Sequence, residues 1–496
     1  MDAIFDRDRV EREIREACAT CSDARDIRSA TVAVLQTAMA SGRQAIADAF
    51  KERPKSAAPT VLAYAYLTDC IVHTVLDVAQ THLHPRPIQT EAERFAVLAV
   101  GGYGRAEMAP HSDVDLLFLT PYKITPWVES VVESMLYIFW DLHLKVGHSS
   151  RTIKDCIRLG REDYTIRTAL LEHRYIAGDT LLAEELKSKL WTELFRNTAT
   201  DFIEAKLAER AERHRKQGGQ RYVVEPNVKE GKGGLRDLQS LFWIDKYVHG
   251  VEDTADLVAH NVLSQDELDQ FDAAEEFLWA TRCHLHLIAK RAMDQLTFDM
   301  QVEVADAMGY EDRDGRRAVE FFMQDYFRHA THVGELTRIF LTKLEALHVK
   351  KEPSLLRFFQ RRPRVKDLYK IEQNRLNVAD EAAFLSQPLN ILRLFEEALR
   401  TGLLIHPDAM RLMAANLHLI DDNFRTDKEA VGIFLGLLLK HGNPERALRR
   451  MNELGVLAAF IPEFAPIVAM MQFNMYHSYT VDEHTIQTIS VLAQIE

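Results

Sequence analysis

Apolar positions recur at helical spacing from the first residues to about 85, with one break at "KERPKSAAP". The Pro-rich "HLHPRPIQTEAE" (82–93) reads as a connector. Beyond it the pattern changes. "FAVLAVGG" is a continuous apolar run that stops at two glycines, which predicts a strand and a turn; "VDLLFL" predicts a second strand. "VESVVESMLYIFWDLH" has helical period, and "KVGHSSRT" predicts a third strand. From about 153 to the end the pattern is helix-rich, interrupted by the Gly-rich "KEGKGG" at 229–234. No internal repeat or low-complexity tract occurs. The expected fold class is α+β: a small mixed-sheet unit embedded in a mostly helical chain.

Composition narrows the function classes. A chain of 496 residues favours several domains over one core. With 61 basic against 74 acidic residues the net charge is −13, which argues against a surface coated by nucleic acid. The most apolar long stretch, "TVLAYAYLTDCIVHTVLDVA" (60–79), carries Asp69, His73 and Asp77, so it reads as a packed helix and no membrane span is expected. The opening "MDAIFDRDRVEREIREA" is charged throughout and is no secretory signal. Five cysteines do not make a disulfide framework, and a cytoplasmic setting is expected. Cys18 and Cys21 form a lone CxxC without a second pair or a preceding strand; they read as structural cysteines facing the same way on a helix.

The chemistry concentrates in "GGYGRAEMAPHSDVDLLFL" (101–119). In a strand, residues i and i+2 share a face about 7 Å apart, so Asp113 and Asp115 point one way while Val114 and Leu116 point into the core. Two such carboxylates raise each other's pKa unless positive charge sits between them, and a divalent cation meets that need with both as oxygen ligands. Gly101, Gly102 and Gly104 let the backbone approach a ligand, and a helix starting there would aim N–H groups at phosphate. Arg105 adds a charged fork and Ser112 a hydroxyl. A glycine turn followed by a metal-binding D-x-D is the equipment of nucleotidyl transfer. A turn-capping Asp113 with a solvated Asp115 is the bland alternative, disfavoured by the agreement of glycines, strands and carboxylates.

This stretch resembles the G-[GS]…D-x-D pattern of the DNA polymerase β-like nucleotidyltransferases, and within them the bacterial PII uridylyltransferase/uridylyl-removing family. The resemblance covers nearly the whole chain through "VGHSSRT", "LLEHRYIAGD", "EPNVKEGKGGLRDLQSLFWI", "HLHLIAKRAMDQLTFDMQ" and "MYHSYTVDEHTI". It implies four segments: N-terminal helices and connector (1–90), the nucleotidyltransferase core (91–185), a helical uridylyltransferase-associated domain (186–350), and a helical linker with the beginning of an HD domain (351–496). It implies transfer of UMP from UTP to a tyrosine of the signalling protein PII, with Mg²⁺ or Mn²⁺ held by Asp113 and Asp115. One departure stands out. The superfamily often has a third carboxylate on a neighbouring strand, where "KVGHSS" has Gly147 and His148; Glu172 is a possible substitute.

In the second glycine loop, Lys229 and Lys232 surround three glycines, and Leu235, Leu238, Leu241 and Phe242 form the apolar stripe of the helix that follows. No Lys-Ser/Thr pair follows the glycines, so this is no Walker A loop. Either the lysines and loop N–H groups touch phosphate, with Arg236 and Asp237 fixing the geometry, or the loop is a tight inter-helix turn; the resemblance favours the first. His284 and His286 point apart on a helix and read as packing residues. His484 matches the first metal-ligand position of an HD phosphohydrolase, but no His-Asp dipeptide occurs, and one imidazole does not hold a metal. The expectation is a truncated chain that lacks the UMP-removing and glutamine-sensing parts, with a loosely or non-natively packed final helix. Two alternatives remain at this point: a nucleotidyltransferase with another acceptor (an RNA end, glutamine synthetase or a small alcohol), and a module that binds PII or nucleotide without turnover.

Overall fold

A four-stranded mixed sheet lies at the centre of the first part of the chain, in a computed structural model that describes residues 1–85, 90–217, 222–251, 254–260, 262–348, 365–440, 442–471 and 479–495. Strands β1 (Ala96–Ala99), β2 (Val114–Thr120), β3 (Val146–Thr152) and β4 (Arg174–Gly178) are arranged in the order β3-β2-β1-β4. β1 is antiparallel to β2 and β4, and β2 is parallel to β3. The two inner strands are apolar on both faces because both faces are covered. Val97, Ala99, Leu116 and Phe118 pack under the N-terminal helices α1 (Arg7–Cys18), α2 (Ala24–Glu52) and α3 (Ala58–Val78). Ala96, Leu98, Leu117 and Leu119 face the opposite way, into a larger cluster that runs to Leu344 and takes in Ala469 and Met471.

Short helices connect the strands. α4 (Gly101–Gly104) is a single turn after β1, α5 (Pro126–Asp141) joins β2 to β3, and α6 (Ile153–Glu162), α7 (Tyr164–Leu171) and α8 (Thr180–Lys189) flank β4. The helical region follows: α9 (Ala199–Lys216), α10 (Leu235–His249), α11 (Asp256–Ala259), α12 (Gln265–Ala289), α13 (Phe298–Ala307) and α14 (Ala318–His348). A third cluster, from Tyr369 to Ile489, forms its own core. Arg411 on the third unit reaches Glu267 at 2.5 and 2.8 Å, tying it to the start of α12.

The structure adds detail to one expectation and corrects two. The stretch from 153 onward is helix-rich, as expected, and also holds short strands: β4 adds an edge to the first sheet, and β5 (Tyr369–Glu372), β6 (Arg375–Val378) and β7 (Leu404–Ile405) form a second, three-stranded one. These strands are two to five residues long, too short to carry a visible two-residue period, and β5–β6 turn through Gln373 and Asn374, both at positive φ. Second, α1 ends at Cys18, so Cys21 lies outside the helix, its thiol donating to the Ala17 carbonyl at 3.3 Å. All five cysteines are free, as a structural reading requires. Third, the helix Val481–Leu492 is firmly docked: Asp482 accepts from Asn452 and from the Ala469 N–H, Glu483 pairs with Arg449, and Ile486 is fully buried. The "MYHS" part of the motif before it lies outside the described residues. Among the described residues one helix, Ala58–Leu83, is long and apolar enough to cross a membrane, and 61% of its apolar window is buried inside the fold.

Candidate functional site

The sheet side of the site is built at the open ends of β1 and β2. The Val100 N–H donates to the Asp115 carbonyl at 3.0 Å, so the chain leaves β1 in register with the carboxylate strand and turns at once into α4. Gly101 makes that turn at φ +60°, a conformation side chains rarely adopt. Asp113 is exposed just before β2, and Asp115, its second residue, is half-buried between the fully buried Val114 and Leu116. The alternation expected from the sequence is present. The Asp115 carboxylate lies over Gly147, its partner across the β2–β3 pair, where any Cβ would overlap Oδ1. A side chain at 147 would therefore displace the Asp115 carboxylate from this position; the glycine leaves the space it occupies. Burial raises the Asp115 pKa, the Asp113 charge raises it further, and Lys229 opposes both.

The helical side comes from the second glycine loop. Asn227 Oδ1 accepts the N–H groups of Lys229 and Glu230 at 3.1 and 2.7 Å, folding the loop back on itself before α10. Asp237, fully buried in the first turn of α10, accepts from the Gly233 N–H at 2.9 Å, from Arg210 at 3.2 Å, from His214 at 2.9 Å and from Arg213. Burial pushes its pKa up, yet His214, Arg210 and Arg213 outweigh this and hold it well below the ordinary value. The loop is thus pinned by one carboxylate to three cationic or polarisable groups on α9. Lys229 lines the cleft near enough to Asp115 to stabilise its charge; its own pKa is lowered by burial, Arg282 and Arg236, with Asp294 and Glu230 opposing.

Between the two sides lies a cleft of about 510 Å³. That volume falls within the range of small-molecule sites. Gly101, Gly102, Arg105, Ser112, Asp113, Asp115, Lys229 and Arg236 all line it. Lys232 does not. Two of the basic residues are already engaged: Arg105 between Glu107 (2.7 Å) and Glu172, and Arg236 with Glu230 (3.2 Å) and Gln239 (2.9 Å). Ser112 closes its own turn, its hydroxyl accepting the Ala109 N–H at 3.0 Å. Glu172 reaches the cleft wall at the end of α7, but Arg105 and the Trp243 indole N–H share its Oε1.

Several lining residues escaped the sequence reading. Trp243, read past as the neighbour of the apolar stripe, is flanked by Lys206 at 5.0 Å, Arg236 at 5.2 Å and Arg105 at 5.8 Å from its ring. Phe242, placed in the stripe, is only half-buried. Arg282 and Asp294 pair at 2.7 Å in the cleft wall; Asp294 lies inside "HLHLIAKRAMDQLTFDMQ", whereas Arg282, two residues before it, carried no signal. His284 bonds to the Pro54 carbonyl at 2.7 Å, and the buried His286 bridges Asp294 and the His111 backbone. The His111 N–H donates to His286 Nδ1, which leaves Nε2 as the protonated nitrogen facing Asp294. Both histidines are packing residues.

Asp113 and Asp115 present their oxygens to one opening with only Lys229 opposing the Asp115 charge, a donor set that fits a divalent cation. A cleft in which strand-end carboxylates and a glycine turn face lysine and arginine is the layout of a nucleotidyltransferase, and this is the class of protein that fold and site define. The family is narrower. Residues 201–341 match the GlnD PII-uridylyltransferase profile and 369–460 match the uridylyltransferase GlnD third domain. It is 66% identical over 99% of its length to a bifunctional uridylyltransferase/uridylyl-removing enzyme of Ruegeria pomeroyi, of which it covers 54%. It is 65% identical over 96% of its length to that of Cereibacter sphaeroides (51% covered), and 47% identical over its full length to that of Rhodospirillum rubrum (53% covered). The chain spans about half the length of these relatives.

Proposed function

We propose that this chain carries the uridylyltransferase activity: it moves UMP from UTP to a tyrosine hydroxyl of PII and releases pyrophosphate, in the cytoplasm, with Mg²⁺ or Mn²⁺ held by Asp113 and Asp115. The observation that carries the reading is that the D-x-D strand end and the Lys229 loop, more than a hundred residues apart in sequence, close on one cleft. The cation, when bound, supplies charge neutralisation at the α-phosphate and at the attacking and leaving oxygens. The protein's own groups do the rest. Gly101 and Gly102 let the triphosphate lie against bare backbone, and Lys229, held near Asp115 by the folded loop, offers positive charge to the leaving phosphates. Trp243, locked by Glu172, gives the cleft a rigid wall. Attack of the phenolic oxygen on the α-phosphorus forms the new phosphodiester and breaks the bond to pyrophosphate, and the phenolic proton passes to solvent water.

The test is incubation with UTP labelled in its α-phosphate, Mg²⁺ and PII. Label on wild-type PII, and none on PII whose acceptor tyrosine is phenylalanine, is the expected result. A folded chain that leaves PII unlabelled would defeat the reading.

A further inference from the structure

The far end of α10 holds a cluster unconnected with the cleft. Asp245 and His249 are four residues apart on one helix face, and Asp245 Oδ1 lies 2.6 Å from His249 Nδ1. The short helix α11 places His260 beside them, with the two imidazole rings 4.8 Å apart. One ligand atom from each of the three residues lies within 4.8 Å of those of the other two. The second observation is an unmet need. Asp245 is 0% exposed, and its other oxygen, Oδ2, is buried without a hydrogen-bond partner. A buried carboxylate oxygen left unpaired is costly, and such an atom in a native fold needs a partner, whether a water or an ion.

We propose that Asp245, His249 and His260 form a binding site for one divalent transition-metal ion, with Zn²⁺ as the reference ligand. Two imidazoles and one carboxylate form the mixed nitrogen and oxygen set that such ions prefer, whereas Mg²⁺ favours oxygen alone. The set therefore differs in chemistry from the Asp113–Asp115 pair. Both imidazoles lie at the surface, which gives the ion its entry path and leaves room for a water as fourth ligand. Binding displaces the hydrogen now shared between His249 Nδ1 and Asp245. The bound ion clips the C-terminal turn of α10 to α11 across the Gly250 cap, on the helix whose other end lines the cleft.

The test uses tag-free full chain, metal-stripped, with Asp113→Asn/Asp115→Asn as a background that silences the cleft. Zn²⁺ binding is measured by competition with a chromophoric chelator, and Co²⁺ by its visible absorption. One ion per chain is expected in this background, with a raised melting temperature, and adding His249→Ala/His260→Ala should weaken binding at least about 100-fold. The single His260→Ala, at an exposed helix end, guards against misfolding and should cost about 10-fold or more. Absence of stoichiometric binding in the silenced background, or binding indifferent to both histidine variants, would overturn the proposal.

Discussion

Two aspartates, the half-buried Asp115 in the cleft at the mouth of β2 and the fully buried Asp237 behind the loop at the start of α10, are treated in opposite ways. Asp237 has no exposure and is surrounded by Arg210, Arg213, His214 and a backbone N–H. Asp115 has burial and a neighbouring acid against it, and one lysine for it. A carboxylate with its charge met internally holds structure together; one with its charge left unmet waits for a ligand. Under the proposed function, the difference separates the part of the site that positions from the part that holds the metal.

Removing the unmet charges gives the largest expected effect. Asp113→Asn/Asp115→Asn should lower uridylyl transfer by about 10³-fold or more, the several kcal/mol that a lost metal site costs, without lowering the melting temperature. Activity surviving in the double variant would place the chemistry elsewhere. Removing the met charge should do the reverse: Asp237→Ala leaves Arg213, Arg210 and His214 facing each other and should cost about 3–5 kcal/mol in denaturant unfolding. A loss below about 1 kcal/mol would show that the cluster relaxes and that the comparison is overdrawn.

Gly147→Ala separates geometry from charge. Its added methyl overlaps the Asp115 carboxylate, so transfer should fall about 100-fold through misplacement alone while stability changes by about 0.5 kcal/mol or less. In the Gly-rich loop, Lys229→Met should cost about 10–100-fold, the value of a charge-assisted contact, and Lys232→Met less than about 3-fold. Equal losses at both lysines would mean that the loop rearranges when nucleotide binds.

The smallest effect is in pH dependence. Asp237 has a folded pKa below the ordinary 3.8, so its contribution is fully present above that value and is lost as pH falls through the range beneath it. Asp115 has a folded pKa above 3.8, so protonated Asp115 favours the fold at low pH, and that contribution is lost as pH rises through the raised value. In metal-free protein, Asp115→Asn should therefore melt above wild type at neutral pH and converge with it in acid. Asp237→Asn should melt below wild type at neutral pH, with a gap that narrows in acid.

The same comparison explains what was legible in the sequence. The sheet half of the site is contiguous: glycines, D-x-D and two apolar strands lie within 25 residues, so period and spacing disclose them. The helical half is assembled from α9, the 227–234 loop, α10 and the end of α12. Nothing local marks Arg213 or His214 as partners of Asp237, since a charged helix face reads as solvated until its partner is known. Lys229 and Lys232 look alike in "VKEGKGG", and only the Asn227 fold-back distinguishes the one that faces the cleft. Arg105 was readable as a phosphate fork, whereas the structure commits it to Glu107 and Glu172. The edge strand β4 buries only Ile176 and Ala177 and the second sheet is made of strands of two to four residues, whereas β1, no longer than β4, is buried throughout and sits in a continuous apolar run, as does most of β2.

The most direct test of the central claim is an anomalous difference map from crystals of this chain soaked with Mn²⁺ and a non-hydrolysable UTP analogue. A peak within bonding distance of both Asp113 and Asp115, with the triphosphate against Gly101 and Gly102 and near Lys229, is the expected result. A nucleotide bound with its metal away from those two carboxylates would contradict the account.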